Sequence, residues 1–266
     1  MNLYAHRGVS AHLPENTLAA FARAIELGVA GIELDVQLSG DGVPVVIHDD
    51  SVDRTTNGTG TTDEFTADQL GLLDAGAGEG VPTLAQVLEL AAGKLRVNIE
   101  LKDGQAVAPV AAVAAGIPGL DWFASSADWN ALVRMVGEVP DAKVYPLCVG
   151  TFDKFRAVLP DGVGGEEFSG RDLQAAVDFA VRHGGEGVSV WEAGLDAEDV
   201  AAIHGAGLQA WVWTVNDPVR AAELLELGVD GICTDDPELL QGLSGVAGCG
   251  AGRAGHAAGA LAGMAG

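Results

Sequence analysis

The amino-acid sequence predicts a closed parallel (β/α)8 barrel, and three observations carry that prediction. Eight short β-like runs alternate with helical patterns between Asn2 and Thr234. The runs are apolar almost without interruption, as strands covered by an outer layer of helices must be. The first strand-to-helix turn, HRGVSAHLPENT, lacks the G-x-G-x-x-G spacing that an open, doubly wound sheet would normally show.

The runs are Asn2–His6, Gly31–Gln37, Arg96–Leu101, Trp122–Ser125, Lys143–Val149, Gly187–Trp191, Gln209–Val215 and Gly231–Thr234. Thr17–Leu27 carries Leu18, Phe21, Ala22 and Ile25 on one helical face, and Gly28 supplies a C-terminal stop. From Leu38 to Pro82 the rhythm breaks. A connection of that length has a function or carries structure of its own, and Pro44–Asp49 within it reads as a further extended segment ending in a histidine. Leu84–Ala92 opens with Thr83-x-x-Gln86, a capping box placed after Pro82. Asp217 and Pro218 give an N-cap and a first-turn proline to a helix reaching Leu227. Between residues 150 and 186 no comparable signal marks the element edges. Ser244–Gly266 holds 23 residues, eight of them Gly and eight Ala, without periodicity. It reads as a disordered tail, with a peripheral extra helix as the alternative. One domain is expected over residues 1–243, with an insertion at about 38–82.

The chain has 266 residues, 48% apolar and 20% charged, a composition that can bury a substantial core. Its 14 Lys and Arg stand against 38 Asp and Glu, a net charge of −24. Such a surface repels nucleic acids and anionic headgroups, so neither is an expected partner. An anionic substrate would need local positive charge against this field. Cys148, Cys233 and Cys249 share no metal-ligand or redox spacing, and the first two lie in strand-like runs, where buried free thiols are expected. No signal peptide and no spanning stretch is evident, and the Ala/Val run near 106–115 is too weakly apolar to be one. The expectation is a cytoplasmic protein without a stable membrane anchor, its oligomeric state unread.

Barrels of this kind carry reactive groups where the strands end. His6 and Arg7 close the first run. Glu33 and Asp35, two apart, point to one side near the end of the second. Glu100 closes the third run and Lys102 follows on the same side. Three carboxylates aimed at one volume raise each other's pKa unless compensated. A divalent cation with all-oxygen ligation, Mg²⁺ or Ca²⁺, removes the problem. The alternative is a metal-free network in which Glu33 and Asp35 pair with Arg7 and Lys102. A cation beside Arg and Lys suits the oxygens of a phosphoryl group. His6 and His48 each end an apolar run beside a charged residue, which favours acid–base work over a structural role. His12, His183, His204 and His256 lack such neighbours and read as surface residues.

These residues fall in motifs that resemble the glycerophosphodiester phosphodiesterase family. The matching pieces are AHRG (Ala5–Gly8), PENT (Pro14–Thr17), ELDVQLSGDGVPVVIHDD (Glu33–Asp50), VDRTTNGTG (Val52–Gly60), LLDAG (Leu72–Gly76), PTLAQVL (Pro82–Leu88), NIELK (Asn98–Lys102), VWTVND (Val212–Asp217) and GICTDDP (Gly231–Pro237). The resemblance implies a TIM barrel with a small insertion after strand 2. It implies hydrolysis of glycerophosphodiesters to sn-glycerol 3-phosphate and an alcohol, in lipid and glycerol metabolism, with one divalent cation. It implies metal ligation by Glu33, Asp35 and Glu100, acid/base catalysis by His6 and His48, phosphate contacts from Arg7 and Lys102, and a pocket wall at Trp213. The family mechanism uses the substrate's 2-hydroxyl as first nucleophile, giving a cyclic phosphate that water opens. After LLDAG, AGEGVP stands where relatives have a longer stretch, often with an aromatic. After the fourth strand SSADW stands where many have Ser-Ser-Phe. Both departures bear on the alcohol and not on the metal or histidine positions. Two other readings remain open at this point: a lysophospholipase D-type activity on lysolipids, and a non-catalytic barrel that binds a phosphodiester.

Overall fold

Eight parallel strands close on themselves in a computed structural model, which describes residues 2–151, 154 and 172–243. In chain order the elements are β1 (Asn2–His6), α1 (Leu18–Leu27), β2 (Gly31–Leu38), β3 (Pro44–Val46), α2 (Ala67–Gly71), α3 (Leu84–Ala91), β4 (Arg96–Leu101) and α4 (Val107–Ala115). They continue with β5 (Trp122–Ser126), α5 (Trp129–Glu138), β6 (Val144–Cys148), α6 (Leu173–His183), β7 (Gly187–Trp191), α7 (Ala197–Gly205), β8 (Gln209–Trp213), α8 (Pro218–Leu227), β9 (Gly231–Thr234) and α9 (Pro237–Leu240). The ring runs β1-β2-β4-β5-β6-β7-β8-β9 and closes where β9 pairs with β1. All eight expected runs are barrel strands. The run expected to reach Val215 stops at Trp213, its last residue in register with β7, and the Val215 amide turns to the Cys233 carbonyl instead. The segment after Gly150 falls largely outside the described residues, as does the tail from Ser244.

The caps read from the sequence set the helix ends. Thr17 accepts from the Ala20 amide at the start of α1, and Gly28 ends that helix in the left-handed region at φ 66°. Thr83 and Gln86 complete a capping box on α3, and Asp217 caps α8 ahead of Pro218. The helices between the barrel strands lay apolar faces on them. Phe21 and Ala24 of α1, Leu84, Val87 and Leu88 of α3, and Leu132 and Met135 of α5 are all fully buried in one continuous core. Burying a side chain of the Leu or Phe class stabilises by about 1.5–3 kcal/mol before entropy is charged against it. Among the described residues no helix is long and apolar enough to cross a membrane. Cys148 and Cys233 are buried free thiols.

The barrel interior has two layers. Towards the strand N-termini Tyr4, Phe123, Tyr145 and Trp211 fill it, with Tyr4 edge-on to Trp211 at 4.3 Å between ring centres. Glycines open three of the strands there, Gly31, Gly187 and Gly231, for a steric reason. A Cβ on Gly31 would come within 2.3 Å of the Tyr4 ring, and one on Gly231 within 2.6 Å of Trp211. Polar ends of this layer are satisfied: Tyr145 Oη and Trp211 Nε1 both donate to Gln209 Oε1 at 2.9 Å. The rings thus close one end, and the charged residues occupy the other.

The insertion after β2 has a core of its own, built on Val45, Ile47, Val52, Leu70 and Val81. Its first part is a hairpin. β3 returns antiparallel along β2 with Val36 opposite Val46, and the Ile47 amide donates to the Asp35 carbonyl at 3.0 Å. The hairpin therefore brings His48 back towards the level of Asp35.

Candidate active site

Strand register assembles the acidic group. β1 and β2 pair His6 with Glu33, and β2 and β4 pair Asp35 with Glu100. Neighbouring strands lie about 4.8 Å apart, so inward side chains at paired positions meet. Glu33, Asp35 and Glu100 each offer an oxygen within 4.8 Å of the others'. The first two are 4% and 0% exposed.

The turn after β1 is built to hold its residues in unusual backbone conformations. Arg7 has φ 54° and Asn16 φ 58°, both left-handed without being glycine. Hydrogen bonds overdetermine them: the Arg7 amide donates to the Glu33 carbonyl at 3.0 Å, and the Asn16 amide to the Arg7 carbonyl at 2.9 Å. Gly8, at φ 83°, lies so close to α1 that a Cβ would sit 2.6 Å from the Ala20 Cβ. The His-Arg-Gly order follows. The glycine lets the chain turn under α1 while the two residues before it face the strand ends.

Charge decides what the acidic group can hold. Burial, then the neighbouring Asp35 carboxylate, push the Glu33 carboxyl up to about 8, against the opposing pull of His6. Burial would also raise Asp35, but Lys102 and Arg7 outweigh it and hold that carboxyl down at about 2. Lys102 Nζ lies 2.9 Å from Asp35 Oδ1 and 2.5 Å from Glu100 Oε1, and Arg7 Nε lies 3.1 Å from Asp35 Oδ2. The ion pairs expected of a metal-free network thus exist around Asp35. They do not reach Glu33, whose Oε1 is buried without a hydrogen-bond partner. An orphaned carboxylate oxygen at the centre of an all-oxygen donor set fits a hard divalent cation.

Each histidine is held by an aspartate. His6 Nδ1 lies 2.6 Å from Asp235 Oδ1, and that carboxylate also accepts from Ser10 Oγ at 3.0 Å and Asn216 Nδ2 at 2.6 Å. A carboxylate only accepts, so Nδ1 carries the proton and Nε2, 3.9 Å from Glu33 Oε2, is the free nitrogen. Burial would lower the His6 pKa, but the Asp235 hydrogen bond and the Glu33 charge overcome it and the pKa is raised. His48 Nδ1 lies 2.6 Å from Asp49 Oδ1. Its backbone carbonyl accepts from Gln37 Nε2 at 3.1 Å.

A glycerophosphoryl diester phosphodiesterase family model matches residues 6–239, close to the whole described barrel. The chain is 36% identical over 248 residues to a glycerophosphodiester phosphodiesterase of Caldanaerobacter subterraneus subsp. tengcongensis, covering 89% of this chain and 94% of that protein. The chain belongs to the glycerophosphoryl diester phosphodiesterase family. Solved structures agree. An Oleispira antarctica phosphodiesterase in complex with the product sn-glycerol-3-phosphate superposes with TM-score 0.78 at 28% identity, over 91% of this chain and 95% of that one. A glycerophosphodiester phosphodiesterase from Agrobacterium tumefaciens gives 0.74 at 28%, over 91% and 100%. Members of this family are phosphoric diester hydrolases, and the fold is the TIM barrel with an insertion that the motifs implied.

Within this family frame, the residues singled out from the sequence fall into two groups. His6, Glu33, Glu100 and Trp213 line one cavity at the strand ends. The Trp213 indole N–H is buried there without a hydrogen-bond partner among the described residues. Arg7, Asp35 and Lys102 join that cavity's carboxylates through the ion pairs above. His48 lines a separate recess with Glu15 and Asn16. Asn16 bridges the two, because its Nδ2 donates to Asp35 Oδ2 at 2.9 Å.

Sequence reasoning gave no role to Asp235, Asn216, Asn16, Asp49, Glu15 or Arg54. A signal existed for Asp235: barrel closure sets Thr234 opposite Ala5, so the next residue must lie beside His6. Three of the four histidines expected at the surface lie among the described residues, and none of the three lines the site. His12 pairs with Asp236 and His204 with Asp230 at the surface, His183 stacks near Phe179, and His256 lies outside the described residues.

Proposed function

We propose that the protein hydrolyses glycerophosphodiesters to sn-glycerol 3-phosphate and an alcohol, with His6 and His48 as the general acid/base pair. One observation carries this reading. Two imidazoles, each with Nδ1 on an aspartate at 2.6 Å and Nε2 left for chemistry, accompany an all-oxygen acidic trio, two of its carboxylates buried and the third half-buried, with Arg7 and Lys102 beside it. Family membership adds the substrate class, since the Oleispira antarctica relative was solved with sn-glycerol-3-phosphate.

Glu33, Asp35 and Glu100 would hold one divalent cation, Mg²⁺ or Ca²⁺, which when bound supplies positive charge to the phosphate oxygens. The chain's own groups do the rest. Arg7 and Lys102 are fixed by carboxylates yet keep N–H donors for phosphate. One imidazole takes the proton of the attacking hydroxyl as the bond to phosphorus forms. The other gives a proton to the alkoxide as the phosphorus–oxygen bond to the alcohol breaks. Water then adds to phosphorus of the cyclic phosphate, giving its proton to the second imidazole, while the phosphorus–oxygen bond to the 2-oxygen breaks and that oxygen takes the proton back from the first, which releases sn-glycerol 3-phosphate and restores both protonation states. The two aspartates fix which nitrogen reacts. The unpaired Trp213 N–H offers a donor at the cavity wall for the glycerol end of the substrate.

The test is release of sn-glycerol 3-phosphate from glycerophosphocholine and glycerophosphoethanolamine, measured in EDTA and again with Mg²⁺ or Ca²⁺ restored, with lysophosphatidylcholine, read as release of choline and lysophosphatidic acid, as a third substrate. Cation-dependent release from the first two supports the reading. Turnover of the lysolipid alone would replace it with the lysophospholipase D activity. No release from any of the three, with either cation, would remove it.

A further inference from the structure

We propose that Arg54 is a positioning residue that ties His48 of the insertion to Arg7 of the barrel. The proposal rests on the roles given above to His48 and Arg7.

Arg54 lies between the carboxylates of Asp49 and Glu15 and is not placed to bind phosphate. Its Nε donates to Asp49 Oδ2 at 2.7 Å and its Nη2 to Asp49 Oδ1 at 3.1 Å. Its Nη1 donates to Glu15 Oε2 at 2.8 Å and its Nη2 also to Glu15 Oε1 at 2.9 Å. A guanidinium has five N–H groups in a rigid fork. Four hydrogen bonds to two carboxylates leave it no second fork for a ligand.

Both carboxylates lead to the site. Asp49 Oδ1 holds His48 Nδ1 at 2.6 Å. Glu15 Oε1 accepts from Arg7 Nη1 at 2.9 Å, and Arg7 Nε reaches Asp35 at 3.1 Å. The result is a continuous chain of alternating groups, Asp35, Arg7, Glu15, Arg54, Asp49, His48. It begins at a carboxylate of the buried trio and ends at the imidazole of the other recess. Bidentate bonds fix direction as well as distance, which a lysine ammonium could not do on two carboxylates at once.

Folding of the insertion does not need this link. The insertion has its own apolar core, and Glu79 separately docks it by accepting from the Ala19 amide at the start of α1, 3.2 Å away. The loop carrying Arg54 is also closed independently: Gly60 N donates to Asp53 Oδ1 at 2.8 Å, and Thr56 Oγ1 to the Val52 carbonyl at 2.7 Å. What Arg54 adds is the relative placement of two reacting groups that lie on different parts of the fold. Misplacing such groups by about 1 Å can cost about 10²-fold in rate.

The experiment compares Arg54→Lys, Arg54→Ala, His48→Ala and the Arg54→Ala/His48→Ala double variant in the cation-loaded protein, reading kcat and KM for glycerophosphocholine and the melting temperature. The expected result is a loss of about tenfold or more in kcat for Arg54→Lys and a larger loss for Arg54→Ala, with melting little changed. Arg54→Ala should cost nothing further in kcat in the His48→Ala background, because groups acting as a unit are not additive. Methylguanidinium added to Arg54→Ala should restore part of the rate, since the side chain is 47% exposed. If His48→Ala is inactive while Arg54→Lys matches the wild type, the Arg54 proposal alone falls. If Arg54→Ala costs as much in the His48→Ala background as in the wild type, it falls likewise. If His48→Ala keeps wild-type kcat, the acid/base reading falls and this proposal with it.

Discussion

His6 and His48 are held in opposite ways. His6 closes a barrel strand, and its aspartate, the residue after β9, arrives beside it only because the ring is closed. The neutral donors Ser10 and Asn216 orient that aspartate. The His48 side chain is 34% exposed, and its aspartate is oriented by a guanidinium. Hydrogen bonds and the Arg54 charge hold the Asp49 carboxyl well below the usual carboxylate range. One histidine takes its geometry from topology, the other from a chain of ion pairs. Topology is insensitive to salt, whereas partly exposed ion pairs are screened by it. The proposed acid/base pair thus joins a group on the fixed scaffold to one delivered on an insertion.

The largest expected effect comes from removing either imidazole. His6→Asn and His48→Asn should each lower kcat by about 10²–10⁴, with glycerophosphocholine as substrate. A difference of more than a hundredfold between the two would break the symmetry of role. Next comes Asp235→Asn. The amide can offer its N–H to Nδ1 and turn the ring to the wrong tautomer, so kcat should fall by about 10². The raised His6 pKa should fall too, because its main compensating partner is gone, and the matching limb of the kcat/KM profile should move to lower pH. A profile that keeps its wild-type limbs would show that Asp235 only packs.

A smaller effect is expected in stability. Glu33 is raised to about 8 in the fold, above the ordinary carboxylate value. The folded state therefore holds a proton the unfolded chain has lost. The stability this gives is full below the unfolded pKa and is lost as pH rises through about 8. Melting temperature in EDTA should fall across that window, and Mg²⁺ or Ca²⁺ should reduce the fall by taking the proton's place. A melting temperature that ignores both pH and cation would contradict the trio as a cation site. Asp35 works the other way, but its loss lies at acid pH, as pH drops through about 2. The smallest effect is on Asp49→Asn, which should cost about tenfold in kcat and show a weaker dependence of kcat on salt than the wild type, whose kcat is expected to fall as salt screens the ion pairs.

The barrel was legible in the sequence because its signals are local: apolar runs and N-cap side chains recur along the chain, and left-handed glycines end α1, α6 and α8. Glu33, Asp35, Glu100 and Lys102 were legible for a similar reason, since strand pleat fixes their side. Asp235 and Arg54 were not. Asp235 depends on the pairing of the last strand with the first, 229 positions from His6 in the chain. Arg54 depends on two turns, 39 positions apart at Glu15, folding towards each other. Asp235 can be placed only once the ring closure is known, and the pairing of Arg54 leaves no mark in the residues beside it. The strand end at Trp213 was missed by two positions because VWTV stays apolar after pairing with β7 has ended.

The central claim is that two histidines with separate supports serve one cation-bearing site. The most direct measurement is steady-state kcat for His6→Asn and His48→Asn with saturating Mg²⁺ or Ca²⁺, alongside cation affinity by calorimetry. The account predicts that both variants lose at least about 10² in kcat and bind the cation as the wild type does. A variant of either histidine that keeps kcat within about threefold of wild type while binding the cation normally would contradict it.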